Sequence, residues 1–329
     1  MGILSLRDAY QRSVTYLRVS VTERCNLRCF YCLPRGSHGC GRRPQSSLDE
    51  LFEVVRVGVG LGISKLRITG GEPLVRPGVV DFVRQLSLLD GLADLALSTN
   101  GTLLAEYAGD LKAAGLRRVN VSLDSLRPTV FKEISGRDDL ERVVRGIASA
   151  RSVGLAPIKI NVVVMRGIND TELPDILDFA ASYGAQVRFI EYMPLGLGQR
   201  WERSYVSRAE ILASLHDRLS GDPPSRRPGD TATYFALRHG GEVGVISPVS
   251  CRFCELCNRL RLTADARLRP CLTHEGEVDL VPALRPFVNR DALERGFRDA
   301  VARRVAQGSY AAPSDGSPGE FRPMAAIGG

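Results

Sequence analysis

Lysine is scarce in this chain of 329 residues. Lys65, Lys112, Lys132 and Lys159 are the only ones, although Lys and Arg together number 44. Positive charge is therefore carried by arginine, spread along the chain rather than gathered in a tail. A formal net charge of +7 with that distribution fits an anionic ligand and does not require nucleic acid. Also missing is any apolar run long enough to span a bilayer. The start, MGILSLRDAYQRS, lacks the basic flank and apolar stretch of a signal peptide. Leu6 stands where a myristoylation signal wants Ser or Thr. The expectation is a soluble cytoplasmic protein with no membrane and no nucleic-acid partner. No acid–base pair announces itself.

What the chain does have is cysteine, 8 in all: Cys25, Cys29, Cys32, Cys40, Cys251, Cys254, Cys257 and Cys271. They bunch toward the two ends of a large chain without an export signal. Metal or redox chemistry in a reducing compartment fits better than disulfides.

Short apolar runs recur at 15–22, 65–69, 94–100, 117–124, 158–164 and 186–193, with helix-period stretches between them, such as 48–61, 78–90, 102–115, 139–153 and 172–183. This alternation predicts parallel strands with crossover helices, and six units suggest an open part-barrel or a doubly wound sheet. Several strands alternate in polarity. Lys65, Arg67 and Thr69 oppose Leu66 and Ile68; Arg118, Asn120, Ser122 and Asp124 oppose Val119, Val121 and Leu123. Period two puts each set on one side. One side packs on helices; the other meets water or a polar ligand. A partial (β/α)6 TIM-type barrel with a polar, occupied lumen is expected over 1–220. A linker at 221–230, GDPPSRRPGD, leads to a cysteine-bearing C-terminal segment, 231–329. Residues 35–47 read as a mobile loop, and the tail PSDGSPGEFRPMAAIGG as poorly ordered when unbound. Met193 is out of phase with Arg188 and fits only if alternation lapses at the strand end.

CNLRCFYC, residues 25–32, spaces three cysteines C-x3-C-x2-C just after the first strand, where barrel sites are built. Three thiolates can hold three corners of a [4Fe–4S] cluster and leave the fourth iron open. Zinc prefers closed four-ligand sets and C-x2-4-C pairs, so it fits this spacing poorly. The motif, with Tyr31 as its aromatic, resembles that of the radical S-adenosylmethionine (SAM) superfamily. The resemblance implies that Cys25, Cys29 and Cys32 hold a first [4Fe–4S] cluster whose open iron binds SAM. Reductive cleavage of SAM would then yield a 5′-deoxyadenosyl radical. ITGGEP, residues 68–73, alone reads as a tight turn whose glycines admit close approach of a ligand. In that family it is the site of the SAM amino group, here at Gly71.

The second set is CRFCELCNRLRLTADARLRPC, residues 251–271. On spacing alone a zinc site is slightly favoured, with Cys251 or His274 as fourth ligand. Yet the run, following ISPVS, resembles the C-terminal segment of the GTP 3′,8-cyclase family of molybdenum cofactor biosynthesis. That family carries a second [4Fe–4S] cluster there, matched by Cys254, Cys257 and Cys271. Cys40 and Cys251 stay unassigned. The resemblance runs from about Tyr16 to Cys271, plus Gly328-Gly329, a tail that in the family reaches the active site.

By the same resemblance, Arg18, Arg67, Ser98, Lys159, Arg259, Leu260 and Arg261 would bind GTP, and Tyr31, Gly71, Ser122 and Met193 would bind SAM. Ser98 stands where the family has Thr. Arg18, Arg67 and Lys159 share the polar strand face, and guanidinium forks suit phosphate oxygens. The implied reaction takes the 3′ hydrogen of GTP and joins C3′ to C8, giving a 3′,8-cyclo-7,8-dihydro-GTP. It needs an external one-electron donor, and leaves open a hand-over to the next enzyme of the pathway and a homodimer. Two other readings stand beside it: another radical SAM enzyme, such as a peptide-modifying one, and a zinc-stabilised nucleic-acid-binding protein.

Overall fold

The structure, a computed structural model, describes residues 6–32, 44–195, 199–227, 229–274, 276–310 and 324–328. Cys40, Gly329 and most of the loop at 35–47 lie outside them.

The first half runs β1 (Tyr16–Ser20), α1 (Leu48–Gly60), β2 (Lys65–Thr69), α2 (Val79–Ser87), β3 (Asp94–Thr99), α3 (Leu104–Ala113), β4 (Arg118–Ser122), α4 (Pro128–Ser135), α5 (Leu140–Ser152), β5 (Lys159–Val164), α6 (Leu173–Ser182) and β6 (Gln186–Glu191). Then follow α7 (Gln199–Ser204), α8 (Arg208–Ser214), β7 (Ala232–Ala236), β8 (Glu242–Ile246), β9 (Arg259–Leu262), β10 (Arg267–Arg269), β11 (Val278–Asp279), α9 (Val281–Leu284), α10 (Arg290–Ala302) and α11 (Met324–Ile327). No described helix is long and apolar enough to cross a membrane.

All strands join one sheet, in the order β11-β10-β9-β1-β2-β3-β4-β5-β6-β8-β7. β1 to β6 are parallel neighbours, as the repeating β-α pattern predicts. The C-terminal segment adds a strand at each edge of this part-barrel. β9 pairs in parallel with β1, and β8 in parallel with β6. β7, β10 and β11 extend the edges antiparallel. The two parts of the chain thus share one sheet. Within 221–230, Ser225 exchanges backbone hydrogen bonds with Tyr234 at 2.9 and 2.7 Å.

The period-two pattern decides what the sheet buries. Leu17, Val19, Leu66, Ile68, Val119 and Val121 are fully enclosed in the core against the helices. Their neighbours Arg18, Arg67 and Ser122 line a cavity on the opposite face. The helices close the outer side. Ser47 and Glu50 form a reciprocal cap that starts α1. Gly58 of that helix admits α10, because a Cβ there would meet Phe297 Cζ at 2.8 Å. Arg285 pairs with Glu50 at 2.6 Å, so the C-terminal segment also packs back on the first helix.

Two elements depart from the sequence reading. The unit after β4 holds an extra short helix, α4, opened by Pro128 and closed by Gly136 in the left-handed region (φ 72°). Residues 324–327 of the tail form a helix with Ala325, Ala326 and Ile327 buried, rather than lying loose.

Candidate active site

The loops after the parallel strands converge on one cavity of about 360 Å³. Both cysteine sets line it: Cys25, Cys29 and Cys32 from the loop after β1, and Cys254, Cys257 and Cys271 from the C-terminal segment.

The first cysteine loop is held by backbone bonds to its neighbours. Arg28 N–H donates to Ser135 O at 2.8 Å and Phe30 N–H to Ile134 O at 3.1 Å, so the end of α4 shapes the loop. On the other side, Gly71 N–H donates to Thr22 O and Glu72 N–H to Arg24 O, both at 2.8 Å. Here the glycines of ITGGEP acquire a second reason. A Cβ on Gly70 would lie 2.6 Å from Thr22 O, and one on Gly71 2.5 Å from Arg24 O. The glycines admit the cysteine loop as well as facing the cavity. Gly71→Ala is therefore expected to cost about 1–3 kcal/mol through overpacking against backbone. Chemical denaturation of the protein would show it as a lowered midpoint.

The thiols suit a cluster in their donor chemistry. Burial pushes the Cys29 thiol well up, and the nearby Cys32, Asp124 and Cys25 add to the effect. Such a trio resists ionising together unless a cationic centre shares the charge. Against the penalty of burial, the charges of Arg259 and Arg304 draw the Cys257 thiol below its ordinary value. Tyr31 donates its hydroxyl to Asp124 Oδ2 at 2.7 Å. Asp124 Oδ1 also accepts from Val163 N–H at 2.8 Å. The motif aromatic is thereby tied to the ends of β4 and β5.

Six arginines also line it, among apolar and neutral polar neighbours: Arg18, Arg67, Arg188, Arg252, Arg259 and Arg261. No ion pair among the described residues engages Arg18, Arg67, Arg188, Arg259 or Arg261. Burial, then the charge of Arg261, pushes Arg18 well below its usual range. Burial lowers Arg67 to about 10, and burial with Arg259 lowers Arg261 to about 10. Arg18 Nε, Arg67 Nε, Arg259 Nε and Arg259 Nη2 are buried donors without a partner. Enclosed cations with unused donors call for an anionic ligand.

Nearly every side chain expected in the site lines this cavity: Arg18, Tyr31, Arg67, Gly71, Ser98, Ser122, Met193, Arg259 and Arg261, with all six paired-set cysteines. β6 ends at Glu191, so Met193 escapes strand parity and reaches the cavity from the following loop. Two residues differ. Leu260 is fully buried in the hydrophobic core, on the strand face opposite Arg259 and Arg261. Only its backbone is available to a substrate. Lys159 is not among the lining residues; its Nζ donates to Tyr234 Oη at 3.3 Å, and Tyr234 Oη to Asp230 Oδ2 at 2.6 Å. Burial, then Arg188, lowers Lys159 to about 8.

Sequence reasoning missed Arg188, Asn161, Asp124 and Arg252. Strand parity could have found Asn161, two positions beyond Lys159 on β5. Arg188 Nε donates to Asn161 Oδ1 at 3.0 Å. Gly244 on β8 leaves it room, since a Cβ there would meet Arg188 Cγ at 2.9 Å. The tail also arrives here. Arg261 Nη1 donates to Gly328 O at 2.7 Å, and Gly328 sits against Ser20 and Thr69.

A part-barrel with a C-x3-C-x2-C loop at the carboxyl end of its first strand defines a radical SAM protein. Residues 19–180 match the family model of the Radical SAM superfamily, and residues 185–310 match Molybdenum Cofactor Synthesis C. SuiB from Streptococcus suis, solved bound to S-adenosylmethionine, shares the fold at TM-score 0.64 and 13% identity, over 88% of this chain and 69% of that one. The GTP 3′,8-cyclase of Peptoclostridium acidaminophilum is 48% identical over 85% of this chain and 87% of its own. That of Thermodesulfovibrio yellowstonii is 39% identical over 98% of this chain and 100% of its own. The chain belongs to the GTP 3′,8-cyclase family.

Proposed function

We propose that this chain converts GTP to (8S)-3′,8-cyclo-7,8-dihydroguanosine 5′-triphosphate, the first step of molybdenum cofactor biosynthesis, with both cysteine sets and the nucleotide in one cavity. One observation carries the reading: two cysteine trios line the same cavity as five arginines, three of them buried and two half-buried, that have no ion-pair partner among the described residues.

Cys25, Cys29 and Cys32 would hold the first [4Fe–4S] cluster, and Cys254, Cys257 and Cys271 the second. With SAM and an electron, the first cluster supplies a carbon radical strong enough to take a hydrogen from ribose. The chain supplies placement. Gly71, Ser122, Met193 and Tyr31 would border SAM, with Asp124 fixing the Tyr31 ring. Arg18, Arg67, Arg259 and Arg261 would clamp the triphosphate, and Ser98 keeps a hydroxyl in reach. Lys159 would join them by leaving Tyr234, and a phosphate beside it would favour its charged form. Such clamping holds C3′ at near-contact distance, which is where this kind of catalysis is won. Two electrons are needed, one to cleave SAM and one to reduce the cyclised nucleotide; both would come from an external one-electron donor, and the product would pass to the next enzyme of the pathway. A reducing cytoplasm suits the free thiols.

One hydrogen leaves C3′, C8 keeps its own when C3′ adds to it, and one electron and one proton then complete the ring at N7, so the product is an isomer of GTP. Anaerobic incubation with SAM, reductant and GTP should give a chromatographically distinct nucleotide of unchanged mass. Recovery of GTP alone, with SAM cleaved, would point to a different radical SAM substrate. Arg18→Met should lower kcat/KM for GTP about 10- to 150-fold, the worth of one charge-assisted phosphate contact. The rate of SAM cleavage without GTP should stay at its wild-type value.

A further inference from the structure

Asp8, Arg12 and Arg304 come from opposite ends of the chain and meet at the backbone of the second cysteine set. The Asp8 carboxylate is enclosed. Its Oδ2 accepts from Arg12 Nε at 2.6 Å and lies 3.0 Å from Arg304 Nε. Its Oδ1 accepts from the N–H groups of Tyr10 and Arg12 at 3.0 and 2.9 Å. One carboxylate thus hydrogen-bonds the Arg12 guanidinium and ion-pairs with that of Arg304, whose Nε makes no hydrogen bond.

The remaining donors of both guanidiniums go to carbonyl oxygens. Arg12 Nη1 donates to Cys254 O at 2.8 Å and Ala306 O at 3.1 Å, and its Nη2 to Val305 O at 2.7 Å. Arg304 Nη2 donates to Cys257 O, and its Nη1 to Arg259 O at 2.9 Å. None of the three side chains lines the cavity, so none is placed to touch substrate. The loop they grip is otherwise short of internal support. Between 253 and 257 its own backbone bonds are Leu256 N–H to Phe253 O at 3.2 Å and Cys257 N–H to Cys254 O at 3.1 Å.

We infer that the Asp8–Arg12–Arg304 triad positions the second cluster. By fixing the carbonyls of Cys254 and Cys257 it fixes the peptide planes from which both thiolates project. Its net charge of one positive unit also stands beside the cluster and favours the reduced state. The inference rests on Cys254, Cys257 and Cys271 being the ligands. The three side chains are positioning residues, acting through the cysteine loop.

The test uses the full chain, reconstituted anaerobically, as wild type, Cys257→Ala, Arg304→Met, Arg304→Lys and Asp8→Asn. Iron and sulfide per chain are counted, and the second cluster is titrated by redox-controlled paramagnetic resonance. Arg304→Met is expected to halve the iron, as Cys257→Ala does. Arg304→Lys keeps the charge and a donor and should restore most of it. Asp8→Asn should keep both clusters but raise the second cluster's potential, because a negative charge has gone. The inference is overturned if Arg304→Met and Asp8→Asn lower only the melting temperature, with iron content and potential as in wild type. Full iron in Cys257→Ala would overturn the ligand assignment and the inference with it. Should Arg304→Met not fold, the potential of Asp8→Asn decides.

Discussion

Cys29→Ala is expected to bring SAM cleavage to background. Cys29 is the central thiol of the first set and lines the cavity with Cys25 and Cys32. Its Cys32 neighbour closes a tight turn onto it, Cys32 N–H donating to Cys29 O at 3.0 Å. Alanine keeps that turn, so the loop should fold while losing one of three corners. With two thiolates left, a cubane has two bare irons and is readily lost. The loss should appear as absent 5′-deoxyadenosine in a reductant-driven assay, with melting temperature near wild type. Wild-type rates of cleavage in Cys29→Ala would remove Cys29 from the ligand set.

Cys257→Ala is expected to separate the two halves of the site. SAM should still be cleaved, because the first cysteine loop is braced by α4 and the Gly70-Gly71 turn rather than by the C-terminal segment. Conversion of GTP should fall to background. Cys257 neighbours Arg259, and the two interact closely enough for the arginine to draw the thiol down. Emptying that site frees β9 at its start, and with it the register Tyr16↔Arg259 and Arg18↔Arg261 that aligns the cavity arginines. The readout is the ratio of 5′-deoxyadenosine to cyclic nucleotide, near unity in wild type and very large in the variant. A ratio unchanged in Cys257→Ala would make the second set merely structural.

Much of the site was legible because it is written in local periodicity. KLRIT reads as a strand with the bounds it adopts, since Lys65, Arg67 and Thr69 alternate with Leu66 and Ile68. That parity alone places Arg18, Arg67 and Ser122 on the cavity side. Leu260 shows the same rule at work: set between two cavity arginines, it must face the core. What escaped was non-local. Nothing near residue 259 says that its strand lies beside Tyr16, or that β8 covers the opposite edge beside β6. Lys159 shares the parity of Asn161, but two residues of rise carry it off the cavity lining to Tyr234. The helix at 128–135 carries its own signals, Pro128 at its start and Gly136 at its end, yet is too short for periodicity to separate from α5. The union of Asp8, Arg12 and Arg304 spans almost the whole chain and leaves no local trace.

The central claim is that a radical made at the first cysteine loop reaches the ribose of a nucleotide held by the cavity arginines. GTP deuterated at C3′, turned over anaerobically with unlabelled SAM, tests it most directly. Deuterium should pass into 5′-deoxyadenosine as the cyclic isomer forms. Unlabelled 5′-deoxyadenosine alongside intact deuterated GTP would contradict the account.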